Sequence, residues 1–553
     1  MDIRRFGLVI IALLSAGLVA GCRKSQPDLN QSSDLPASPK PEEPLAETVA
    51  QIHWLGKKRL AVETNAAHLM SIWRLPESET LGKQTLDKLA LAPWRLLKGD
   101  AATNGAPTAL LRSLLYDLVQ EESYLEVRNF TNQPGEMVFA IRLDKERAGV
   151  WQTNLAAVIE SLTGSRVTPT NGGWSLKDNG VPGLIELIRA GDWTVVGLAP
   201  EQNRLLADAL ARIQTKRVPF SGPATDDWLM LALDLSRAAR ALSLNWQFPA
   251  DWPRISLSVV GDGANVQTRG ELNFSTPLGL DLEPWNIPTN FIHDPLVSFT
   301  AIRGIKSLVS QSKAWKNLEL GEAPNQFYLW GLGATPFQTY FAAPSASASN
   351  QVFQLTQRLL EKGGAWLASN AIGKFVKLDA GNGVRWSGLP FITPVLQSVT
   401  AGEAQFIKGG FFPTVSTNSS MPIELVYAVL TPTNLVGYDW EITGSRFDGW
   451  TGVGQALRIS FGRPRMPAGS AGMIWLRAIK PRLGNSTTGV LMTNPRQLRI
   501  VRGSSIGLTA MELHLLADWL ESPQFPRGVH TFLAPSDLPW MRSQPGDASS
   551  SPP

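Results

Sequence analysis

Met137-Val-Phe-Ala-Ile-Arg-Leu143 and, shortly after it, Trp151-Gln-Thr-Asn-Leu-Ala-Ala-Val-Ile-Glu-Ser-Leu162 decide the fold class of this chain. The first segment is an apolar run of strand length. The second puts Trp151, Leu155, Val158, Ile159 and Leu162 on one side at helical spacing, and Gly164 is placed to end it. Upstream, Leu110, Leu111, Leu114, Leu115 and Leu118 make an apolar stripe on a helix expected over Ala109–Glu121. Downstream, Gly173-Trp174-Ser-Leu176 reads as a short strand, Leu184–Ile188 as a short helix and Trp193–Leu198 as a strand. Pro200 is placed to open a helix with Leu205, Leu206, Ala209, Leu210 and Ile213 inward. This alternation predicts an α+β fold, with antiparallel sheets covered by helices on one face.

The rest of the chain continues in kind. Trp228–Leu233 predicts a strand and Ser236–Leu244 a helix. Ile255, Leu257 and Val259 alternate with polar residues before Asp262-Gly263, and Val266, Thr268, Leu272 and Phe274 follow. An Asp-Gly turn between alternating runs predicts a hairpin. Strands at Phe327–Leu332 and Phe337–Phe341, then a helix over Gln351–Glu361 capped by Asn350, echo the strand and helix of Met137–Leu162. A duplicated domain is one reading of that echo. From Phe375 the chain reads as richer in β structure. Strands are expected around a turn at Asn382-Gly383 and at Leu425–Leu430, Tyr438–Ser445, Leu457–Phe461, Met473–Leu476 and Leu498–Val501. Thr509 and Glu512 form a capping box and Leu508 with Leu513 a hydrophobic staple, so a last helix is expected over Ala510–Leu520. The division predicted is an α+β domain over 50–225, a second over 226–370 and a β-rich region ending in a helix over 371–540.

Both ends read differently. Two arginines, then an apolar run over Phe6–Ala20, then Val19-Ala20-Gly21-Cys22 have the layout of an export signal. The run is shorter than the roughly 20 residues that span a bilayer. Val-Ala-Gly-Cys resembles the lipobox of bacterial lipoproteins. That resemblance implies cleavage after residue 21 and lipid attachment at Cys22, the only cysteine in the sequence. It also implies a membrane-anchored protein facing the periplasm. Arg23, in place of the aspartate that retains such lipoproteins at the inner membrane, points to the outer one. Residues 22–49 hold five prolines among polar residues and read as a disordered tether. Residues 541–553 read as a disordered Ser/Pro tail. With His53-Trp54-Leu55-Gly56-Lys57-Lys58-Arg59 and Leu86–Trp94, the chain resembles large envelope lipoproteins of the verrucomicrobial or planctomycetal type, from which no activity carries over.

The formal charge of +4 over 553 residues, with no sustained basic run, argues against nucleic acid as a partner. Gly503-Ser504-Ser505-Ile506-Gly507 matches the nucleophile-elbow pattern, and Asp518 and His530 follow in the order of a Ser-Asp-His triad. Against it, the capping box starts the helix at Thr509, too late for an elbow, and Asp518 sits inside that helix. Ser310-Gln-Ser-Lys313 matches Ser-x-x-Lys without its companion motifs. The five histidines show no metal-ligand spacing, and no metal or cofactor is expected. Glu424, Asp439 and Glu441 lie near Trp440 and Trp450, where a sugar cleft is one reading; the plainer one has the acids facing water and the tryptophans filling the core. The sequence therefore predicts a non-enzymatic envelope lipoprotein acting through protein or glycan contacts. The alternatives are a lipid-anchored hydrolase of an envelope polymer and a carrier of an apolar ligand. A deep apolar cavity marks the carrier.

Overall fold

A computed structural model describes residues 47–99, 105–130, 133–177, 183–220, 226–241, 252–333, 338–364, 367, 373–389, 392–413, 419–461, 469–522 and 525–526. The export signal, Cys22, most of the tether, His530 and the C-terminal tail lie outside the described residues.

Twenty strands join in one antiparallel sheet. They are β1 Glu47–Trp54, β2 Ser123–Phe130, β3 Gln133–Arg142, β4 Thr168–Thr170, β5 Gly173–Leu176, β6 Leu184–Ala190, β7 Trp193–Ala199, β8 Leu229–Asp234, β9 Arg254–Gly261 and β10 Val266–Asn273. Then come β11 Leu296–Arg303, β12 Gln326–Leu332, β13 Thr339–Pro344, β14 Lys374–Lys377, β15 Gly383–Ser387, β16 Val395–Ala401, β17 Ala404–Gly410, β18 Leu435–Ile442, β19 Asn485–Asn494 and β20 Gln497–Ser504. The helices are α1 Lys57–Leu60, α2 Ala67–Trp73, α3 Pro76–Lys98, α4 Thr108–Gln120, α5 Lys145–Thr163, α6 Arg204–Lys216, α7 Leu235–Ala241, α8 Lys306–Gln311, α9 Lys313–Leu318 and α10 Ala348–Arg358. They continue with α11 Ile423–Leu430, α12 Thr443–Phe461, α13 Ala471–Ile479 and α14 Ala510–Glu521. The α+β class read from the sequence is the class observed.

Across the sheet the strands run β4-β5-β6-β7-β3-β2-β1-β8-β9-β10, then β20-β19-β18-β11-β12-β13-β17-β16-β15-β14. Strand for strand, the pairing within β11–β20 repeats the pairing within β1–β10. The two sets meet edge to edge. Val266, first in β10, faces Ser504, last in β20, and Asn273, last in β10, faces Gln497, first in β20. A two-fold axis through the joint would produce that register. The sheet runs unbroken past residues 225 and 370, because β8 pairs with β1 and β17 pairs with β13. Its two outer edges are blunted, by a three-residue strand holding Pro169 and by a strand flanked by Lys374 and Lys377.

One face, which we call the inner face, is covered by α3, α4 and α5 in the first strand set and by α10, α12 and α14 in the second. The largest core lies there, with Trp94, Leu114, Trp151, Ile159 and Trp174 packed on Leu125, Phe139 and Leu187. α3 straps the two strand sets together: Leu81 packs with Trp475, Leu476 and Leu513, and the Trp475 indole N–H donates to Ser78 at 3.0 Å. The opposite face is also covered, but only over its outer parts, by α6 on Val138, Ala140 and Val195 and by α11 on Phe299, Tyr328 and Phe406. Covering on one face alone, as read from the sequence, is therefore corrected.

Local signals explain the ends of several elements. Asp144 caps α5 by accepting the Arg147 N–H at 2.8 Å, and Gly164 closes that helix in the left-handed conformation, φ 81°. The Thr509–Glu512 capping box of α14 is formed as expected. The Asp262-Gly263 hairpin joins β9 to β10, with the Asp262 carboxylate accepting the N–H groups of Ala264 and Asn265. Other expectations are corrected. Leu184–Ile188 belongs to strand β6. Leu425–Leu430, Leu457–Phe461 and Met473–Leu476 are helical, in α11, α12 and α13, so the C-terminal region carries helices where strands were expected. α6 starts after Asn203, not at Pro200, because Asn203 accepts the Leu206 N–H. α10 starts at Ala348, ahead of Asn350.

Candidate functional site

Of the residues named by the elbow pattern, Ser505 stands just beyond β20, and its hydroxyl oxygen accepts the Gly484 N–H at 2.7 Å. Helix α14 begins only at Ala510, after a left-handed Gly507, so the serine is not at a strand-to-helix turn. Asp518 is buried within α14, and His530 lies outside the described residues. Ser310 is exposed on α8 with its hydroxyl donating to the Ser307 carbonyl, while Ser312 caps α9. His53 is 3.0 Å from Glu122, His293 is 2.7 Å from the Ser419 carbonyl, and His514 lies on the Phe447 ring. Among the described residues no group of three or more His, Cys, Asp or Glu side chains is placed to hold a metal. No described helix is long and apolar enough to cross a membrane.

The acids near Trp440 behave differently from the sequence expectation. Glu424 is exposed on α11, but Asp439 and Glu441 point from β18 to the inner face, beneath α12 and α14. Glu441 is buried, and one of its oxygens accepts the Ala510 N–H at 2.7 Å, at the first turn of α14. Asp439 accepts the Thr300 hydroxyl at 2.6 Å. Burial raises the pKa of both carboxyls, opposed by these hydrogen bonds and by Arg446 and, for Asp439, Arg502. The acids do not face water, and Trp440 and Trp450 pack against separate cores, so no sugar cleft forms between them.

Beside these acids lies a cavity of about 300 Å³. Its floor is two neighbouring cross-strand rows on the inner face. One is Leu329–Phe341–Gly409–Leu396–Val384 and the other Thr339–Phe411–Pro394–Trp386–Phe375. Leu359, in the turn of π-helix that ends α10, completes the wall. Gly409 has no side chain because the Phe341 ring lies across it; a Cβ there would come within 2.5 Å of that ring. No family model, curated protein or solved structure matches this chain.

The other strand set shows what is missing. At the same place in its strand order the first row reads Leu125–Phe139–Val196–Leu187–Trp174. Leu, Phe and Leu recur, while Val196 and Trp174 give way to Gly409 and Val384. The space over that row is filled by Trp174 and by Trp151 from α5, stacked on Phe139 at 6.0 Å. The cavity is therefore volume withdrawn from one row of five residues. Further along the inner face, Leu233–Ala50–Val127–Met137 in the first set stands where Glu441–Ser298–Gly331–Thr339 stands in the second. An apolar row has become polar and leads into the cavity at Thr339. Sequence reasoning missed this site. Gly409-Gly410 inside a strand was the one local sign of it.

Proposed function

We propose that this protein is a non-enzymatic, lipid-anchored envelope lipoprotein whose second strand set, β11–β20, binds an apolar ligand. The anchor reading rests on the Val19-Ala20-Gly21-Cys22 sequence and an apolar run too short to span a bilayer. Cys22→Ala is expected to leave full-length precursor with no incorporated acyl label in the source cells; normal processing and labelling would refute it.

The binding reading is carried by one observation: where Trp174 fills the row in one strand set, the other has Val384, and an apolar cavity lies beside it. An apolar pocket near 300 Å³ is at the small end of ligand sites. Empty, it leaves the apolar lining exposed to water. An apolar group entering it removes that surface from water. Two alternatives weaken on the same geometry. Ser505 is not set as a nucleophile, and the two buried acids are committed to backbone and hydroxyl partners. Val384→Trp restores the residue type of the filled row. It should abolish enhancement of a naphthylamine dye's fluorescence by the full mature chain, with no loss of thermal stability. Equal dye binding by the variant would sink the proposal.

A further inference from the structure

Arg446 of α12 is not part of the cavity's lining but is bonded to a residue that is. Its Nη1 donates to the Thr339 hydroxyl at 3.0 Å, and Thr339 lines the cavity. The guanidinium reaches that point because Gly331 has no side chain: a Cβ there would be 2.8 Å from Arg446 Nη1 and 2.8 Å from the Ser298 hydroxyl. In the other strand set the same place is filled by Val127. The Trp450 ring, 5.1 Å from the guanidinium carbon, supports the plane of the group. Arg446 is 9% exposed, and Thr339 accepts the one hydrogen bond it makes to a described residue. A guanidinium has five N–H donors in a fork suited to a carboxylate or phosphate. Asp439 and Glu441 are near enough to interact but form no ion pair with it among the described residues; each has an oxygen committed elsewhere, to Thr300 and to Ala510. Burial lowers the Arg446 pKa, and the Glu441 and Asp439 carboxylates oppose that.

We propose that the ligand is an amphiphile with a carboxylate head, its chain lying along Leu396, Trp386 and Phe375 and its head accepting from Arg446 and Thr339. This inference rests on the apolar-cavity reading and adds the chemistry of the head group. Thr339 joins the two, since its hydroxyl accepts from the guanidinium and the residue lines the cavity.

The test is displacement of the naphthylamine dye from the full mature chain by octanoate and by octanol. Octanoate should bind about tenfold or more tightly than octanol, the difference a charge-assisted hydrogen bond makes. Arg446→Gln should erase that preference and leave octanol binding in place. Arg446→Lys should keep part of it, and Thr339→Val should weaken it without removing the charge. Equal binding of acid and alcohol by the unaltered chain, or a preference that survives Arg446→Gln, overturns the head-group assignment while the cavity stands. Failure of both compounds to displace the dye, with dye binding indifferent to Val384→Trp, overturns the cavity reading and this inference with it.

Discussion

Glu126→Ala is expected to destabilise the folded protein by about 3–5 kcal/mol, the usual cost of removing one partner from a buried charge network. Glu126 is buried on β2 beneath α6. One oxygen accepts the Thr48 hydroxyl at 3.0 Å and Arg128 Nε at 3.1 Å; the other accepts the Tyr124 hydroxyl at 2.8 Å and Arg212 Nη2 at 3.0 Å. Burial and the neighbouring carboxylate raise the Tyr124 pKa, so the phenol stays a donor. Truncation would leave Arg212 and the Tyr124 hydroxyl without their acceptor in a dry setting, where an unmade bond costs most. Glu126→Gln keeps the shape and loses the charge, and should fall between the two. The midpoint of urea unfolding is the readout. A loss below about 1 kcal/mol would place this network among solvent-screened surface pairs, whose usual worth is that small.

Lys408→Met should act in the opposite direction. Lys408 is 4% exposed on β17, with its ammonium 4.5 Å from the Phe291 ring centre. Burial lowers its pKa from 10.5 to about 8. The unfolded chain therefore holds this proton to higher pH than the folded one. Between about pH 8 and 10.5 the unfolded state binds more protons, so stability rises with pH through that window and is lowest below it. The penalty at neutral pH is on the order of 3 kcal/mol from the shift alone, offset by about 1–2 kcal/mol from the desolvated contact with Phe291. Methionine at this position should raise stability at pH 7 by roughly 1–2 kcal/mol. It should also remove Lys408's contribution to the rise between pH 8 and 10.5. A methionine variant less stable than the parent at pH 7 would show that the ammonium has a partner stronger than the Phe291 ring.

How much was legible follows from where each signal resides. The strand at Met137–Arg142, the body of helix α5 with its Gly164 stop, the Asp262-Gly263 hairpin and the capping box at Thr509 are encoded by neighbours in sequence and were readable; the Asp144 cap, which starts α5 at Lys145 instead of Trp151, was not read. Leu184–Ile188 was misread because a short apolar run does not show its period; the alternation appears only in burial, with Ile185 and Leu187 inward. Ile423-Glu-Leu-Val-Tyr-Ala-Val-Leu430 resembles a strand because, Glu424 apart, it is one continuous apolar run. As helix α11 it buries Leu425 and Val429 and leaves Ile423, Tyr427 and Leu430 exposed.

The pairing of β1 with β8, and of β10 with β20, joins residues far apart in the chain, and no local pattern announces it. The candidate site was hidden for a related reason. It is lined by residues from β12 to β17 and by Leu359, and it lies open where Val384 stands in place of a residue like Trp174. Asp439 and Glu441 alternate with Tyr438 and Trp440 as a strand exposed on one side would. Only helices α12 and α14, packed over them, turn that polar face into an interior. The repeated strand order leads us to infer that the two strand sets share one plan. One has an apolar interior at these positions, and the other has a cavity beside a polar row.

The most direct test of that account is photolabelling of the full mature chain with an alkyl carboxylate bearing a diazirine at its tail, followed by mapping of the labelled residues. The cavity account predicts label on the lining, at Leu359, Phe375, Trp386, Leu396 and Phe411, suppressed by excess octanoate and absent in Val384→Trp. Label concentrated instead on the exposed side of α11, at Ile423, Tyr427 and Leu430, would contradict it.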